Sequence, residues 1–203
     1  MTKVCAFCDA KPQYLDRQTG LYVCLEHARL EVVARGQRPP APKLDIRPAT
    51  EADHDRVEEL ALYFWDETCV DCFDRQYDVL ACPAILACEG KEVVGLASYA
   101  IEKGWQAVVL VMLNVLPEFQ GRSAGRDLLD SMRDIAKAHS LKRILVVTSN
   151  DDLPALSLYQ RYGFQITGII PELIADDHGS EFPGFSAIMV RDEIRLVYHV
   201  MPA

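Results

Sequence analysis

The chain has 203 residues, half of them apolar and a quarter charged, with a formal net charge of −9. This length allows one well-packed domain and a small additional module. The apolar runs are too short to span a membrane, and the N-terminus lacks the apolar segment of a signal peptide. We therefore expect a cytoplasmic protein with no membrane partner.

The charge is unevenly distributed along the chain. Residues 1–43 contain seven Lys or Arg and four Asp or Glu, a net charge of +3, which leaves −12 for residues 44–203. A domain this acidic repels nucleic acid, so a nucleic-acid partner is not expected there, and any such role would fall to the N-terminal segment.

Four metal-ligating side chains occur as two pairs, Cys5-x2-Cys8 and Cys24-x2-His27. This spacing is typical of tetrahedral zinc sites, in which each pair binds from one tight turn. Protein side chains would fill all four positions, so we predict a structural zinc within a module of residues 1–36. The alternatives are four buried side chains without metal or, less favoured in a cytoplasmic protein, a disulfide.

The residues between the two pairs, YLDRQTGLYVC, predict a β-hairpin with Gly20 in its turn. The segment QRPPAPK at residues 37–43 predicts an extended linker, because proline fixes its own backbone. We expect the remaining cysteines to be ordinary reduced thiols, with a second metal or redox pair at Cys69 and Cys72 as the alternative. These cysteines are Cys69, Cys72, Cys82 and Cys88.

Hydrophobic periodicity predicts the elements of residues 44–203. A short strand leads to a helix that begins near Thr50, where Asp53 completes a near capping box. Next come a hairpin around Gly90, the buried strand AVVLVMLNV and a second helix. They are followed by the buried strand RILVVTS, a third helix ended by Gly163 and two closing strands, QITGII and DEIRLVYHV. This alternation predicts a mixed α/β sheet with helices on both faces.

The stretch LNVLPEFQGRSAGRDLL, residues 113–129, joins the strand AVVLVMLNV to the second helix. Small residues, Arg122 and Arg126 stand where that helix starts, a place that binds anions because backbone N–H groups point outward there. The sequence lacks the Gly-Lys-Ser/Thr of a Walker loop and the G-x-G-x-x-G of a dinucleotide-binding fold. Another kind of phosphate loop is therefore indicated.

Gln120-x-x-Ser123-x-Gly125, placed between a buried strand and a helix, resembles the acetyl-CoA pyrophosphate loop of the GNAT superfamily of N-acetyltransferases. IRPATEAD resembles the opening of these domains, and TSNDDLPALSLYQRYGF is similar to their second signature. The resemblance covers residues 44–203. It implies an α/β (α+β) fold with a mostly antiparallel sheet flanked by helices, and acetyl-CoA as cosubstrate.

The resemblance also implies a set of site residues. In this family pantetheine pairs with the end of the fourth strand, and a tyrosine after the fifth strand gives a proton to the leaving thiolate. Tyr159 matches that tyrosine by position, with a core aromatic as the alternative role. The positions that match cofactor contacts are Leu113, Asn114, Val115, Gln120, Gly121, Arg122, Ser123, Ala124, Gly125, Arg126, Asn150 and Asp152.

Two positions depart from the family pattern. The family has glycine at Ser123, whose hydroxyl could bond a phosphate oxygen but whose side chain is strained if the backbone needs a positive φ. The family has asparagine at Asp152, and Asn150 lies two residues earlier. The sequence leaves the general base open between bulk water and the side chains of Glu118, Asp176, Asp177 and His178.

These patterns together predict a cytoplasmic acetyl-CoA-dependent N-acetyltransferase with an N-terminal zinc module. Its acceptor is an amine, on a small molecule or on a protein, and a homodimer is compatible with the sequence. The alternative is a domain that binds acyl-CoA without turnover and uses the zinc module to dock a partner. Zinc-mediated nucleic-acid binding is a third hypothesis.

We expect about one tightly bound zinc per chain, in line with one tetrahedral ligand set. Replacing Cys24→Ser removes one ligand, so elemental analysis of the purified variant should show loss of the metal, with residues 44–203 still folded. Full zinc occupancy in this variant would contradict the ligand assignment.

Overall fold

The structure is a computed structural model that describes residues 14–16, 21–23, 44–120, 123–184 and 187–200. The chain divides into two units, Met1–Lys43 and Leu44–Ala203.

The first unit contains strands β1 (Tyr14–Asp16) and β2 (Leu21–Val23), which pair in antiparallel fashion with Tyr14 opposite Val23. This pairing confirms the predicted hairpin. The predicted zinc ligands lie outside the described residues, so the zinc site stays a prediction. These ligands are Cys5, Cys8, Cys24 and His27.

The second unit is built around a seven-stranded sheet. Its helices are α1 (His54–Trp65), α2 (Ala124–Ala138), α3 (Leu153–Tyr162) and α4 (Leu173–His178). Its strands are β3 (Asp45–Pro48), β4 (Cys69–Cys72), β5 (Arg75–Asp78), β6 (Ala84–Glu89), β7 (Glu92–Glu102), β8 (Ala107–Val115), β9 (Arg143–Ser149), β10 (Gln165–Ile170), β11 (Phe182–Pro183), β12 (Met189–Val190) and β13 (Glu193–His199).

The strand order of the large sheet is β10-β13-β9-β8-β7-β6-β3. Every neighbouring pair is antiparallel except β8 and β9, which run parallel because helix α2 forms the crossover between them. The prediction of a mixed, mostly antiparallel sheet flanked by helices is therefore confirmed.

Each face of the sheet has its own apolar cluster. On one face the sheet packs against α2, whose Leu128, Leu129, Met132 and Ala136 are buried, and against α3. On the other face it packs against α1, through Val57, Leu60 and Ala61, and against the β4–β5 hairpin. In both helices the residues at 3.6-residue spacing are the ones that contact the sheet.

The approach to α1 is fixed by the predicted capping box. The Thr50 backbone N–H and hydroxyl both donate to Oδ2 of Asp53, each at 2.8 Å. Arg47 on β3 forms a bidentate ion pair with the same carboxylate, which holds the pKa of Asp53 well below its usual range. The Asp53 carboxylate thus links strand β3 to the start of helix α1.

The β4–β5 hairpin is absent from the sequence-based prediction. Its two-residue turn, Phe73 and Asp74, has positive φ at both positions, a geometry that normally selects Asn-Gly or Asp-Gly. Arg195 of β13 stabilises the turn instead: its guanidinium lies 5.3 Å from the Phe73 ring centroid and pairs with Asp74 at 2.9 Å. A contact this distant in sequence leaves no local signal.

The strand β4 also settles the position of two cysteines. Cys69 is exposed and Cys72 is buried, on opposite faces of the strand, because side chains three apart in a strand point in opposite directions. Burial raises the pKa of the Cys72 thiol to about 12. Among the described residues, no group of His, Cys, Asp and Glu could hold a metal ion. Burial and the raised pKa favour an unreactive thiol at Cys72.

None of the helices in the described part of the chain has the length and apolar character needed to cross a bilayer.

A close approach between β7 and β8 makes Gly95 a sensitive position. A Cβ atom on Gly95 would lie 2.9 Å from the Asn114 carbonyl oxygen and 3.2 Å from Val115 Cγ2. We expect Gly95→Ala to lower the free energy of unfolding by about 1–3 kcal/mol, the usual cost of overpacking, as measured by urea denaturation. Gly104→Ala is the matched control, because nothing lies within 4 Å of its Cβ position. Equal stability of the two variants would contradict the close approach.

Candidate active site

The site begins where two parallel strands separate. Strands β8 and β9 pair from Ala107 with Arg143 to Leu110 with Val146, and no later pair joins them although both strands continue. At the same point the register of β8 against β7 shifts, which leaves Val111 as an extra, bulged residue. Because a bulge bends its strand, β8 turns away from β9 and opens a gap in the middle of the sheet.

The gap exposes one backbone edge of β8. Leu116 N–H donates to the Val94 carbonyl on the β7 side, and the Val115 carbonyl on the other side accepts a bond from Gln120 Nε2 at 2.9 Å. Since backbone groups alternate between the two edges of a strand, Leu113 also directs its N–H and C=O into the gap. An extended ligand could therefore pair with this edge, as the resemblance predicts.

The side chain of Asn114 points away from this edge. Its Oδ1 accepts a bond from the Trp65 indole N–H at 2.9 Å, which ties the end of α1 to the end of β8.

Helix α2 starts beside the gap. The amide N–H groups of its first turn have no acceptor within the helix, so they remain available to an anion. Its N-cap, Ser123, has φ 70° and ψ −1°, and its exposed side chain forms no capping bond. The family's glycine is thus explained by a left-handed backbone, and the strain predicted for serine is present.

Gly125 has a packing role in addition to the predicted one. A Cβ atom at Gly125 would lie 3.0 Å from Leu158 Cδ2 of α3. The small residue therefore lets α2 approach α3, and a larger side chain would disturb the helix contact as well as a bound anion.

These elements enclose a cleft of about 640 Å³. It brings together most of the predicted cofactor contacts with Tyr159, and it adds residues of α3 that sequence reasoning missed. The predicted residues that line it are Leu113, Asn114, Val115, Gln120, Ser123, Ala124, Gly125, Arg126, Asp152 and Tyr159, and the added ones are Pro154, Ala155, Ser157, Leu158, Arg161 and Tyr162. Gly121 and Arg122 lie outside the described residues, and they stay predictions.

Asp152 lies at the N-terminus of α3 and lines the cleft. Its carboxylate accepts bonds from the Ala155 N–H at 3.1 Å and from the Thr148 hydroxyl at 3.2 Å, so it is the N-cap of the helix. Burial raises the pKa of Asp152 above its ordinary value, although both hydrogen bonds act in the opposite direction. The carboxylate thus carries a desolvation cost that the family's asparagine would avoid.

Tyr159 is 4% exposed and lines the cleft from its buried side. Its ring packs against Phe164 with the centroids 5.4 Å apart, and its hydroxyl forms no hydrogen bond with another described residue. Burial raises its pKa well above the ordinary tyrosine value, with a smaller contribution from Asp152. The phenol therefore holds its proton more tightly than an ordinary tyrosine does.

Several other candidates lie away from this lining. Asn150 uses its whole side-chain amide to fix the segment before β13, because Oδ1 accepts from the Arg191 and Asp192 N–H groups and Nδ2 donates to the Met189 carbonyl. Three base candidates lie on α4, exposed and outside the cleft lining: Asp176, Asp177 and His178. The Glu118 side chain is not among those described.

The missed lining residues share a pattern that the sequence contains. Pro154, Ser157, Leu158 and Arg161 stand at positions i, i+3, i+4 and i+7, so they form one stripe along α3. The stripe mixes a proline, a serine and an arginine with one leucine, so hydrophobic periodicity alone gave no signal for it.

The fold and the cleft define a class of protein: a mixed α/β domain whose central strands separate beside the start of a helix. Residues 46–164, more than half of the chain, match the model of the acetyltransferase (GNAT) family. The chain therefore belongs to that family.

Individual relatives agree with this assignment. The L-methionine sulfoximine/L-methionine sulfone acetyltransferase of Pseudomonas aeruginosa is 29% identical over 118 residues, which are 54% of this chain and 69% of that protein. The Bacillus subtilis protein YdhI is 27% identical over 110 residues, 52% of this chain and 66% of its own length, so the match spans just under two thirds of YdhI.

Solved structures share the fold. A Bacillus subtilis acetyltransferase in complex with CoA is 24% identical, with a TM-score of 0.63, covering 78% of this chain and 100% of that one. A GNAT family acetyltransferase from Elizabethkingia anophelis with acetyl-CoA bound is 22% identical, with a TM-score of 0.58, covering 78% and 99% of the two chains.

The left-handed backbone of Ser123 gives a testable difference between two variants. We expect Ser123→Gly to raise the free energy of unfolding by about 0.5–1 kcal/mol, because glycine adopts this conformation without strain. Ser123→Ala keeps the strain and removes the hydroxyl, so it should show no gain in stability. Thermal unfolding checks both, and a Ser123→Gly protein less stable than the parent would contradict the assigned φ.

Proposed function

We propose that this protein transfers the acetyl group from acetyl-CoA to a primary amine by direct attack. The proposal rests on one observation above all: the open edge of β8, the start of α2 and Tyr159 line the same cleft. One groove thereby offers a position for the thioester of acetyl-CoA, a position for its diphosphate and a proton donor.

The diphosphate lies at the start of α2, over the N–H groups of the first turn and beside Arg126. Pantetheine pairs with the open edge of β8 at Leu113 and Val115. A backbone N–H of that edge polarises the thioester carbonyl and stabilises the negative charge that develops on its oxygen.

The amine nitrogen attacks the carbonyl carbon, and the bond between that carbon and the CoA sulfur then breaks. The leaving thiolate takes a proton from the Tyr159 hydroxyl, and the phenolate that remains regains a proton from solvent. The nitrogen loses its proton to water, since the described cleft lining contains no carboxylate or imidazole other than Asp152. Asp152 is already engaged with Thr148 and Ala155.

An amine acceptor is supported by the Pseudomonas aeruginosa relative, which is named for L-methionine derivatives, because these carry a primary amine. On the face of the sheet that bears the β4–β5 hairpin, the guanidiniums of Arg75 and Arg195 are paired with Glu102, Glu193 and Asp74. Neither is left to bind a carboxylate of the acceptor, so we favour a neutral or cationic amine.

The structural zinc at Cys5, Cys8, Cys24 and His27 and the cytoplasmic location complete the proposal. Both rest on the sequence patterns described above.

Turnover separates this proposal from an acyl-CoA-binding domain without activity. Purified protein is incubated with acetyl-CoA and a panel of amines, and free CoA thiol is measured with a thiol reagent. We expect acceptor-dependent thiol release with at least one amine. Acetyl-CoA binding by calorimetry without release for any polyamine, aminoglycoside, small amine or peptide would favour the non-catalytic alternative.

Once an acceptor is found, Tyr159→Phe tests the proton donor. This change keeps the ring and its contact with Phe164 but removes the hydroxyl, so we expect kcat to fall by about 10²-fold with little change in acetyl-CoA affinity. Steady-state kinetics and calorimetry measure the two effects.

Tyr198→Phe is the matched control, because Tyr198 packs on the same Phe164 ring, 5.5 Å away, and does not line the cleft. Its turnover should stay near that of the parent. A fully active Tyr159→Phe enzyme would remove Tyr159 from the mechanism.

A further inference from the structure

Two arginines of the acidic domain differ from all the others that the structure describes. Neither Arg126 nor Arg161 forms an ion pair or a side-chain hydrogen bond with another described residue; Arg126 only approaches the Tyr162 ring, 6.0 Å from its centroid. Every other described arginine has such a partner: Arg47 with Asp53, Arg56 with Glu59, Arg75 with Glu102, Arg133 with Asp130, Arg143 with the Trp105 carbonyl, Arg191 with Asp192, and Arg195 with Glu193 and Asp74.

Both unpaired arginines line the cleft. In a domain with a surplus of twelve negative charges, carboxylates are available to most surface arginines, so two unpaired ones at the same groove indicate an anionic ligand. Arg126 belongs to the predicted phosphate loop, whereas Arg161 lies in the last turn of α3 and has no role in the function proposed above.

The contact between α2 and α3 gives the order of the groups along the cleft. Gly125, in the first turn of α2, lies against Leu158 of α3. Arg161 is one turn beyond Leu158, about 4.5 Å further along the helix axis and away from Asp152 at the other end. Arg161 thus lies one turn past the contact with the start of α2, where the diphosphate is placed, and Tyr159, at nearly the same height on α3, is separated from it by direction.

The direction of the side chain agrees with this order. Tyr159 and Arg161 are two residues apart, which is roughly 200° around a helix, so they point to nearly opposite sides of α3. Tyr159 is buried and Arg161 is exposed. The arginine therefore faces the open end of the cleft.

Coenzyme A carries a further phosphate beyond its diphosphate, the monoester on the 3′ oxygen of the ribose. We propose that Arg161 binds this 3′-phosphate and makes the protein discriminate CoA from 3′-dephospho-CoA. The inference rests on the proposed function, because it places CoA in this cleft. A guanidinium suits the role, since its planar fork can bond two phosphate oxygens at once.

The test compares two ligands and three proteins. Calorimetry at fixed salt gives the Kd of CoA and of 3′-dephospho-CoA for the parent, Arg161→Gln and Arg126→Gln. We expect the parent to prefer CoA on the order of tenfold, the scale of one exposed charge-assisted contact. Arg161→Gln should lose that preference by weakening CoA alone, whereas Arg126→Gln should weaken both ligands and keep it.

The other outcomes overturn the assignment in distinguishable ways. Equal weakening of both ligands by Arg161→Gln would place the arginine at the diphosphate. No weakening of either, with a lower thermal midpoint of the free protein, would show that Arg161 serves only to offset the dipole at the end of α3. If the parent binds neither ligand, the proposed function fails together with this inference, whereas CoA binding without preference refutes the inference alone.

Discussion

The separation of β8 from β9 is the constraint on which the site depends. Two parallel strands in the centre of a sheet normally satisfy each other's backbone groups, and here they do so only as far as Leu110 and Val146. Beyond that point the donors and acceptors of β8 need other partners, because unpaired backbone groups away from water are costly. Gln120 supplies one such partner at Val115. A ligand of extended shape could supply the rest, so the separation of the two strands also limits the shape of what can bind there.

The negative net charge of the domain is a second constraint on how it binds a phosphate-bearing ligand. A ligand with several phosphates must approach a surface whose net charge is −12, and long-range attraction cannot bring it there. Binding must therefore rely on short-range groups that are concentrated in one place: the N–H groups at the start of α2 and two arginines without carboxylate partners. The ion pairs elsewhere in the domain serve the opposite purpose, since they neutralise arginines that would otherwise compete for the ligand.

Sequence reasoning succeeded where a pattern is local. The strands AVVLVMLNV and RILVVTS are β8 and β9 with the bounds expected, and Gln120 and Ser123, from the described part of the loop before α2, line the cleft. It failed where geometry depends on distant contacts. The turn at Phe73 and Asp74 is held by Arg195, more than a hundred residues away, and Asn150, close in sequence to Asp152, is bonded to the segment before β13. Arg161 has no local signal in the sequence, because only the folded domain shows that it has no carboxylate partner among the described residues.

The cleft finally shows a gradient of burial that separates chemistry from recognition. At its inner end, burial raises the pKa values of both Asp152 and Tyr159 and keeps the phenol proton in place. A dry environment also strengthens the interaction of a backbone N–H with a developing oxyanion. At the outer end, Arg126 and Arg161 are exposed, where screening by salt limits the strength of each contact. Under the proposed function, the inner end would therefore change the rate of acetyl transfer, whereas the outer end would act through the choice of cofactor. Helix α3 contributes to both ends because its buried and exposed sides both line the cleft.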